Sequence, residues 1–182
     1  GHFGTAHRAR PGAGIIGCRV ADHAAPLTLQ SVDLHFDEPE KDGQGMNPLH
    51  AHADGPDFGQ YDYLRPCVSV TGCCHLITRA SLDKHGGFDL RFSPSQFDDL
   101  ERDLRSCLAG DFPLYQGHLK VSHIKRSGLA ANIPARQQAN IAGNLVKLQQ
   151  SIPAEQVAEL QKADCAAQWR ELQNRLERLG AK

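Results

Sequence analysis

The sequence lacks any long hydrophobic run, and none of its apolar stretches approaches the roughly 18 residues that a membrane-spanning helix requires. It also lacks an excess of charge. The chain has 20 basic and 21 acidic residues and a formal net charge of −1, which excludes the basic footprint of a nucleic-acid-binding protein. The six cysteines include no CxxC pair, so a disulfide scaffold is not indicated. We therefore expect reduced thiols, no nucleic-acid partner, no membrane span and a cytoplasmic location.

Strand-like and helical patterns alternate along the chain. Its 182 residues suit one domain with a substantial core. Apolar runs predict strands over residues 13–20, 26–36, 68–78 and 114–124. Helical spacing predicts helices over residues 79–85, 95–109 and 134–150, and a further helix capped by Ser151. Residues 1–12 have no periodic pattern that would fix a strand, which is compatible with a fraying helix. These elements predict an α/β fold in which helices flank a mixed sheet and a helical hairpin follows.

Residues 37–66 interrupt this alternation. They are rich in Gly, Pro, Asp and His, and no apolar period continues through them. A segment of this length without secondary structure is uncommon in a compact domain, and where it occurs it is usually either a functional loop or disordered. The composition therefore predicts a long polar loop that borders a binding site.

The segment from Val70 to His123 contains the residues best suited to chemistry. Its strand-like run is followed by a Gly-Gly-Phe-Asp turn over residues 86–89, an acidic helix start and a second strand that ends in histidine. A carboxylate at a helix start that faces a cleft can act as a general base. The candidate site residues are Asp98, Asp99, Glu101, Arg105 and His123.

This order of motifs resembles the acceptor-side half of family-2 glycosyltransferases with the GT-A fold. The acidic pair, the further acid and the arginine fall where that family shows E-D-x-D-x-x-x-R, and residues 86–89 match its GGFDE turn, with Leu90 where Glu is usual. The resemblance covers residues 11–128 and is strong over 70–126. It implies a partial GT-A-like domain over residues 1–128, followed by a C-terminal helical extension over 129–182.

The resemblance also implies a chemistry, transfer of a sugar from a nucleotide-sugar donor to a glycan or lipid-linked acceptor with inversion, in a bacterial-type enzyme. Asp99 would be the general base, and Asp98 and Glu101 would shape the acceptor site. Arg105 would orient the acids. His123 would lie near the diphosphate or a divalent metal, Mn or Mg, of the full-length parent.

The donor side of such enzymes has a D-x-D metal motif between an N-terminal strand and a helix, and no such motif precedes Pro11 here. We therefore expect the chain alone to hold no cofactor, to bind no nucleotide sugar tightly and to be inactive. A sheet without its donor-side strands has exposed edges, so a homodimer is expected.

Three alternatives remain open. First, the acidic helix start also suits a structural role, because Ser95 and Asp98 resemble a capping box and Glu101 and Arg105 form an ordinary i,i+4 pair. Second, the chain could be a non-catalytic binding or assembly module that docks through its C-terminal helical hairpin. Third, His50, His52 and Asp54 could form the site of a small metal-dependent hydrolase.

Overall fold

In the computed structural model, the described residues are 1–10, 12–36, 48–50, 52–94, 96–124 and 134–178. Within them the chain has a mixed α/β fold, with five α-helices around a curled mixed sheet that resembles half of a barrel. The helices are α1 (His2–Ala9), α2 (Arg79–His85), α3 (Asp98–Leu108), α4 (Ala135–Ser151) and α5 (Ala154–Arg178), and a short 3₁₀ helix spans Leu90–Phe92. The strands are β1 (Ile15–Asp22), β2 (Leu29–Ser31), β3 (Leu34–Phe36), β4 (Pro48–His50), β5 (Leu64–Pro66), β6 (His75–Ile77) and β7 (Leu114–His123).

The main sheet is built around one parallel pair. Its strands lie in the order β2-β1-β7-β5, and β6 pairs with the first half of β1. β1 and β7 run parallel from the pair Ile16 and Leu114 to the pair Asp22 and His123, and the other described pairs are antiparallel. The carboxyl ends of β1 and β7 therefore meet, which is the edge where open α/β sheets usually bind ligands.

The strands predicted over 13–20 and 114–124 are confirmed, but the strand predicted over 68–78 is wrong for most of its length. Only His75–Ile77 forms a strand, while Val70 is buried in an irregular segment against β1. A Cβ atom on Gly17 would lie 2.3 Å from the Cβ atom of Val70, so glycine is required for this close approach. The apolar residues of the segment therefore fill the core without pairing as a strand.

The prediction of an unbroken loop over residues 37–66 is also wrong, because β4 and β5 lie within it. Residues 37–47 and 51 are outside the described residues. Both strands have three residues and contain a proline, so they give no apolar period. β5 is an edge strand of the main sheet and contacts α5, which protects that edge.

The helix predictions are confirmed, but two of the predicted caps differ from the structure. Phe97 is the N-cap of α3, with a left-handed backbone and no side-chain cap bond, so no capping box starts this helix. Ser95 lies outside the described residues. Ser151 does not cap α5, because it is the last residue of α4 and its hydroxyl donates to the Lys147 carbonyl.

The C-terminal helices share the core of the sheet region. Leu148 of α4 and Leu160 of α5 belong to the same buried cluster as Leu100 and Leu104 of α3. The two helices are consecutive, and α5 contacts α3, β3 and β5. Burial of the cluster, at about 25 cal/mol per Å² of apolar surface, holds these helices to the sheet. None of the described helices is long and apolar enough to cross a membrane.

Candidate functional site

A cavity of about 790 Å³ opens where the parallel pair ends. Its walls come from β2, from β4, which contributes His50, from the segment before β6, from the turn after α2, from the start of α3 and from the end of β7. The lining includes Gln30, Thr71, Gly72, Cys73, Cys74, His75, Phe88, Gln96, Phe97, Asp98, Asp99 and His123. The structure therefore brings three of the five predicted site residues, Asp98, Asp99 and His123, to one cavity.

The acid pair faces the cavity because of the amphipathic pattern of α3. Leu100, Leu104 and Cys107 turn toward the core and are buried, which leaves the first turn of the helix toward the cavity. Burial raises the pKa of Asp98, and the neighbouring charge of Asp99 raises it further.

Asp99 is fixed by two backbone donors. The Gly72 amide donates to its Oδ2 at 2.6 Å, and the Leu100 amide donates to its Oδ1 at 2.9 Å. A Cβ atom on residue 72 would lie 2.7 Å from the same Oδ2, so this approach needs glycine. Each carboxylate oxygen accepts up to two hydrogen bonds, so Asp99 keeps lone pairs for a ligand while its orientation is set.

His123 is held by Gln30, which lies on β2. The Gln30 Nε2 donates to the His123 carbonyl at 2.7 Å, so the Oε1 must accept from the imidazole Nδ1, 2.8 Å away. This arrangement assigns the proton of the neutral ring to Nδ1 and leaves Nε2 as the hydrogen-bond acceptor.

Cys73 lies beside the same imidazole without forming a reactive pair with it. Its Sγ is 3.7 Å from both ring nitrogens of His123. Because the nitrogen lone pairs diverge, equal distances put the sulfur off the axis of either one. The geometry therefore lacks the aligned hydrogen bond that thiol activation by a histidine requires. The described cysteines Cys18, Cys67, Cys73, Cys74 and Cys107 form no disulfide with one another, and the side chain of Cys165 is outside the described residues.

Glu101 and Arg105 are not part of the cavity lining. They form an ion pair at 3.0 Å, and the Arg105 guanidinium also donates to the carbonyls of His85 and, at 3.0 Å, Gly87. Arg102, which is fully buried, donates to the Gly86 carbonyl at 3.2 Å. These side chains therefore fix the turn that follows α2 and act on the cavity only through it.

Asp103 fixes the segment before β6, which leads into another wall of the cavity. Its buried Oδ2 accepts from the Ser69 hydroxyl at 2.8 Å and from the Val70 amide at 3.0 Å. Asp99 and Asp103 thus fasten the segment before β6, while Arg102 and Arg105 fasten the turn after α2. The helix α3 therefore holds two walls of the cavity, the segment before β6 and the turn after α2, through its ionisable side chains.

Burial raises the pKa of Asp103 to about 8, although the bonds from Val70 and Ser69 work in the opposite direction. The folded state therefore keeps a proton that the unfolded state releases near pH 4, so this residue makes stability fall as the pH rises from about 4 to about 8. We expect Asp103→Asn, which retains an acceptor oxygen, to flatten this fall. Urea unfolding at pH 5 and pH 8 measures it.

The matched control is Asp83→Asn, because the side chain of Asp83 is 59% exposed and pairs with Arg79 on α2. This variant should keep the pH dependence of the wild type. A constant stability difference between wild type and Asp103→Asn across the pH range would contradict the prediction.

The metal implied by the resemblance does not find a complete site here. Among the described residues there is no group of three His, Cys, Asp or Glu side chains that could hold a metal ion. His123 uses Nδ1 for Gln30, and the thiol beside it is a poor ligand for Mg or Mn. His123 could at most add one ligand to a metal held elsewhere, so we infer no chemical step through a metal.

The lack of a metal-binding group among the described residues also counts against the hydrolase alternative. The His52 ring lies on Tyr61, with centroids 4.5 Å apart, and burial lowers its pKa. His50 is in β4, and His52 and Asp54 follow in a turn. In the part of the chain that the structure describes, they do not form a metal-binding cluster.

No sequence pattern indicated Gln30, the two glycine contacts or the buried role of Asp103. Gln30 and His123 are 93 positions apart, and no local pattern connects them. For Arg102 a signal was present, because an arginine between the core positions Leu100 and Leu104 is close to the buried face of the helix.

The chain was also compared with known proteins. Neither the protein-family models nor the curated protein sequences give a match to it.

Proposed function

We propose that this chain forms the acceptor side of a nucleotide-sugar-dependent glycosyltransferase of the family-2, GT-A type. The observation that carries the proposal is that the acid pair Asp98 and Asp99 on α3 and His123 on β7, 24 residues further along, line one cavity of about 790 Å³. The cavity lies at the carboxyl ends of a parallel strand pair, and Asp99 is held by two backbone donors.

The proposed chemistry uses Asp99 as the base. An acceptor hydroxyl donates a hydrogen bond to a free lone pair of the Asp99 carboxylate. As the hydroxyl oxygen attacks the anomeric carbon of the donor, its proton moves to the carboxylate and the bond to the nucleoside diphosphate breaks. A positioned base of this kind contributes about 10²–10⁴-fold to the rate.

The other residues have supporting roles. Asp98, whose pKa is raised by burial, lies next to the base and accepts further hydrogen bonds from the acceptor. His123 offers Nε2 as an acceptor because Gln30 holds Nδ1. Glu101 and Arg105, which the resemblance puts at the acceptor site, act as positioning residues through the 86–89 turn.

In this proposal the chain forms only the acceptor side of the enzyme. A D-x-D motif, which the donor side of such enzymes uses for metal and nucleotide binding, is not among these 182 residues. Any metal that neutralises the diphosphate leaving group would be held mainly by that donor side.

The assembly-module alternative has less support. It needs an exposed apolar surface on the C-terminal helices, but Leu148, Val157 and Leu160 are buried in the shared core. Val146 is half exposed and stands apart from that cluster. Among the side chains described on these helices, the large apolar ones are thus mostly used inside the fold.

The test is sugar transfer by the natural enzyme that contains this chain. Release of nucleoside diphosphate is measured with a panel of nucleotide sugars and simple glycoside acceptors, and product formation with at least one pair is expected. Failure with the whole panel would contradict the proposal. Titration calorimetry of the chain alone with nucleotide sugars and Mn²⁺ should give no micromolar binding, and such binding would contradict its restriction to the acceptor side.

A further inference from the structure

One wall of the cavity is aromatic, and the acid–base chemistry does not explain it. Phe88 lines the cavity with 45% of its surface exposed. The His75 ring stacks on it, with centroids 6.0 Å apart and an interplanar angle of 21°. We propose that the open face of Phe88 is the platform on which a pyranose ring of the acceptor lies. This inference rests on the proposed function and states which side chain the sugar ring of the acceptor contacts.

The backbone that carries Phe88 is held in place on both sides. Gly86 and Gly87 precede it, and their carbonyls accept hydrogen bonds from Arg102 and Arg105 of α3 at 3.2 and 3.0 Å. Asp89 follows it, and its side chain accepts from the Arg91 amide at 2.9 Å. A platform on a fixed backbone loses less conformational freedom when a ligand binds than one on a mobile loop.

The chemistry of the two cavity walls fits a sugar. A pyranose has a face of C–H groups and a rim of hydroxyl groups. The C–H face packs on the electron-rich face of an aromatic ring, and the rim needs hydrogen-bond partners. The cavity provides an aromatic wall in Phe88 and acceptors in Asp98 and Asp99. An apolar ligand would make no use of the remaining lone pairs of these carboxylates, and a small anion would gain nothing from the ring.

His75 completes the aromatic wall as a neutral ring. Burial lowers its pKa, and its Nδ1 is buried without a hydrogen-bond partner among the described residues. The imidazole therefore supports the back of Phe88 as an uncharged ring at neutral pH.

The other candidate aromatics fit less well. Phe97 lines the cavity but packs against the core beside α3. Phe58 is 77% exposed but is not in the cavity lining, so it provides a control.

The test uses NMR on the isotope-labelled chain, which at 19.9 kDa suits amide mapping. The probes are methyl glycosides of glucose, galactose and mannose, with uridine as a planar competitor. At least one glycoside is expected to shift the amides of Gly72, Phe88 and Asp99. Saturation of the aromatic protons should transfer to the C–H protons of one face of that sugar. Phe88→Ala should weaken its binding about tenfold, and Phe88→Trp should preserve it.

Phe58→Ala is the matched control and should leave glycoside binding unchanged. Glycoside shifts at Gly72 and Asp99 that persist in Phe88→Ala would overturn the platform while leaving the acceptor site in place. Absence of cavity shifts with every glycoside would overturn the acceptor site itself, and the platform with it. Binding of uridine to Phe88 in place of the glycosides would overturn the assignment to sugar. The amide spectrum of each variant checks its fold.

Discussion

For the proposed transferase, Asp99→Asn is expected to lower kcat for sugar transfer by about 10²–10⁴-fold. An amide cannot take the proton of the acceptor hydroxyl, so the attack must proceed without a base. The substitution keeps the size of the side chain and one of its acceptor oxygens. It therefore loses one of the two bonds from Gly72 and Leu100 without removing the side chain from the cavity.

Two control variants distinguish the loss of the base from other effects of the substitution. Asp98→Asn alters the neighbouring carboxylate of the same cavity and should raise KM more than it lowers kcat. Asp83→Asn changes an exposed acid on α2 and should leave both parameters unchanged. Initial rates at saturating and limiting acceptor separate kcat from KM. Circular dichroism confirms that each variant is folded.

A variant Asp99→Asn that retains wild-type kcat would rule out Asp99 as the base. A loss of kcat in Asp98→Asn with none in Asp99→Asn would transfer the role to Asp98, whose pKa burial raises. The pH dependence of kcat then gives an independent check, because the acidic limb of the profile follows the base in the enzyme–substrate complex.

Arg102→Ala is expected to lower the free energy of unfolding by about 3–5 kcal/mol, the range for removing a large buried side chain. Arg102 is the largest of the fully buried side chains among the described residues. Its guanidinium donates to the Gly86 carbonyl at 3.2 Å and to the Ser81 hydroxyl at 3.0 Å. The alanine variant loses both bonds and leaves a cavity between α2 and α3.

Arg102→Met separates packing from hydrogen bonding. Methionine fills most of the same volume but leaves the Gly86 carbonyl and the Ser81 hydroxyl without this donor. It also removes the buried Nη1, which has no hydrogen-bond partner among the described residues. We therefore expect a cost of about 1–3 kcal/mol, smaller than that of the alanine variant.

Urea unfolding at pH 7 measures both variants, and Arg79→Ala, which removes an arginine that is 87% exposed, is the control. A loss below about 0.5 kcal/mol for Arg102→Ala, the range of ordinary surface substitutions, would show that the guanidinium does not hold the two helices together. The variant should also loosen the turn that carries Phe88.

Local sequence patterns predicted most of the secondary structure. The strand over 13–20 and the strand over 114–124 appear as Ile15–Asp22 and Leu114–His123, and the helix over 79–85 appears with those bounds. These elements have strong periods or clear glycine stops, so neighbouring residues suffice to specify them. β4 and β5 were missed because each has three residues and contains a proline, and β5 also pairs with a strand far along the chain, β7.

The candidate site was predictable only in part. The acids at the start of α3 line the cavity, although the helical pattern alone suits solvent exposure equally well. Glu101 was expected to shape the acceptor site and Arg105 to orient the acids. In the structure Arg105 binds the backbone of the turn after α2, and Glu101 pairs with Arg105 away from the cavity. The spacing along a helix fixes the face on which a residue lies, but the neighbouring segment decides what that residue contacts.

By itself, the sequence determined where helices and strands form, that the first turn of α3 is acidic, and that a strand ends at His123. The tertiary structure alone decided that Asp99 and His123 share a cavity and that Gln30 orients the imidazole. It also decided that α3 holds the segment before β6 and the turn after α2. The reason is the range of the interactions. Helix and strand preferences depend on residues a few positions apart, whereas these contacts join segments up to 93 positions apart and depend on how the whole core packs.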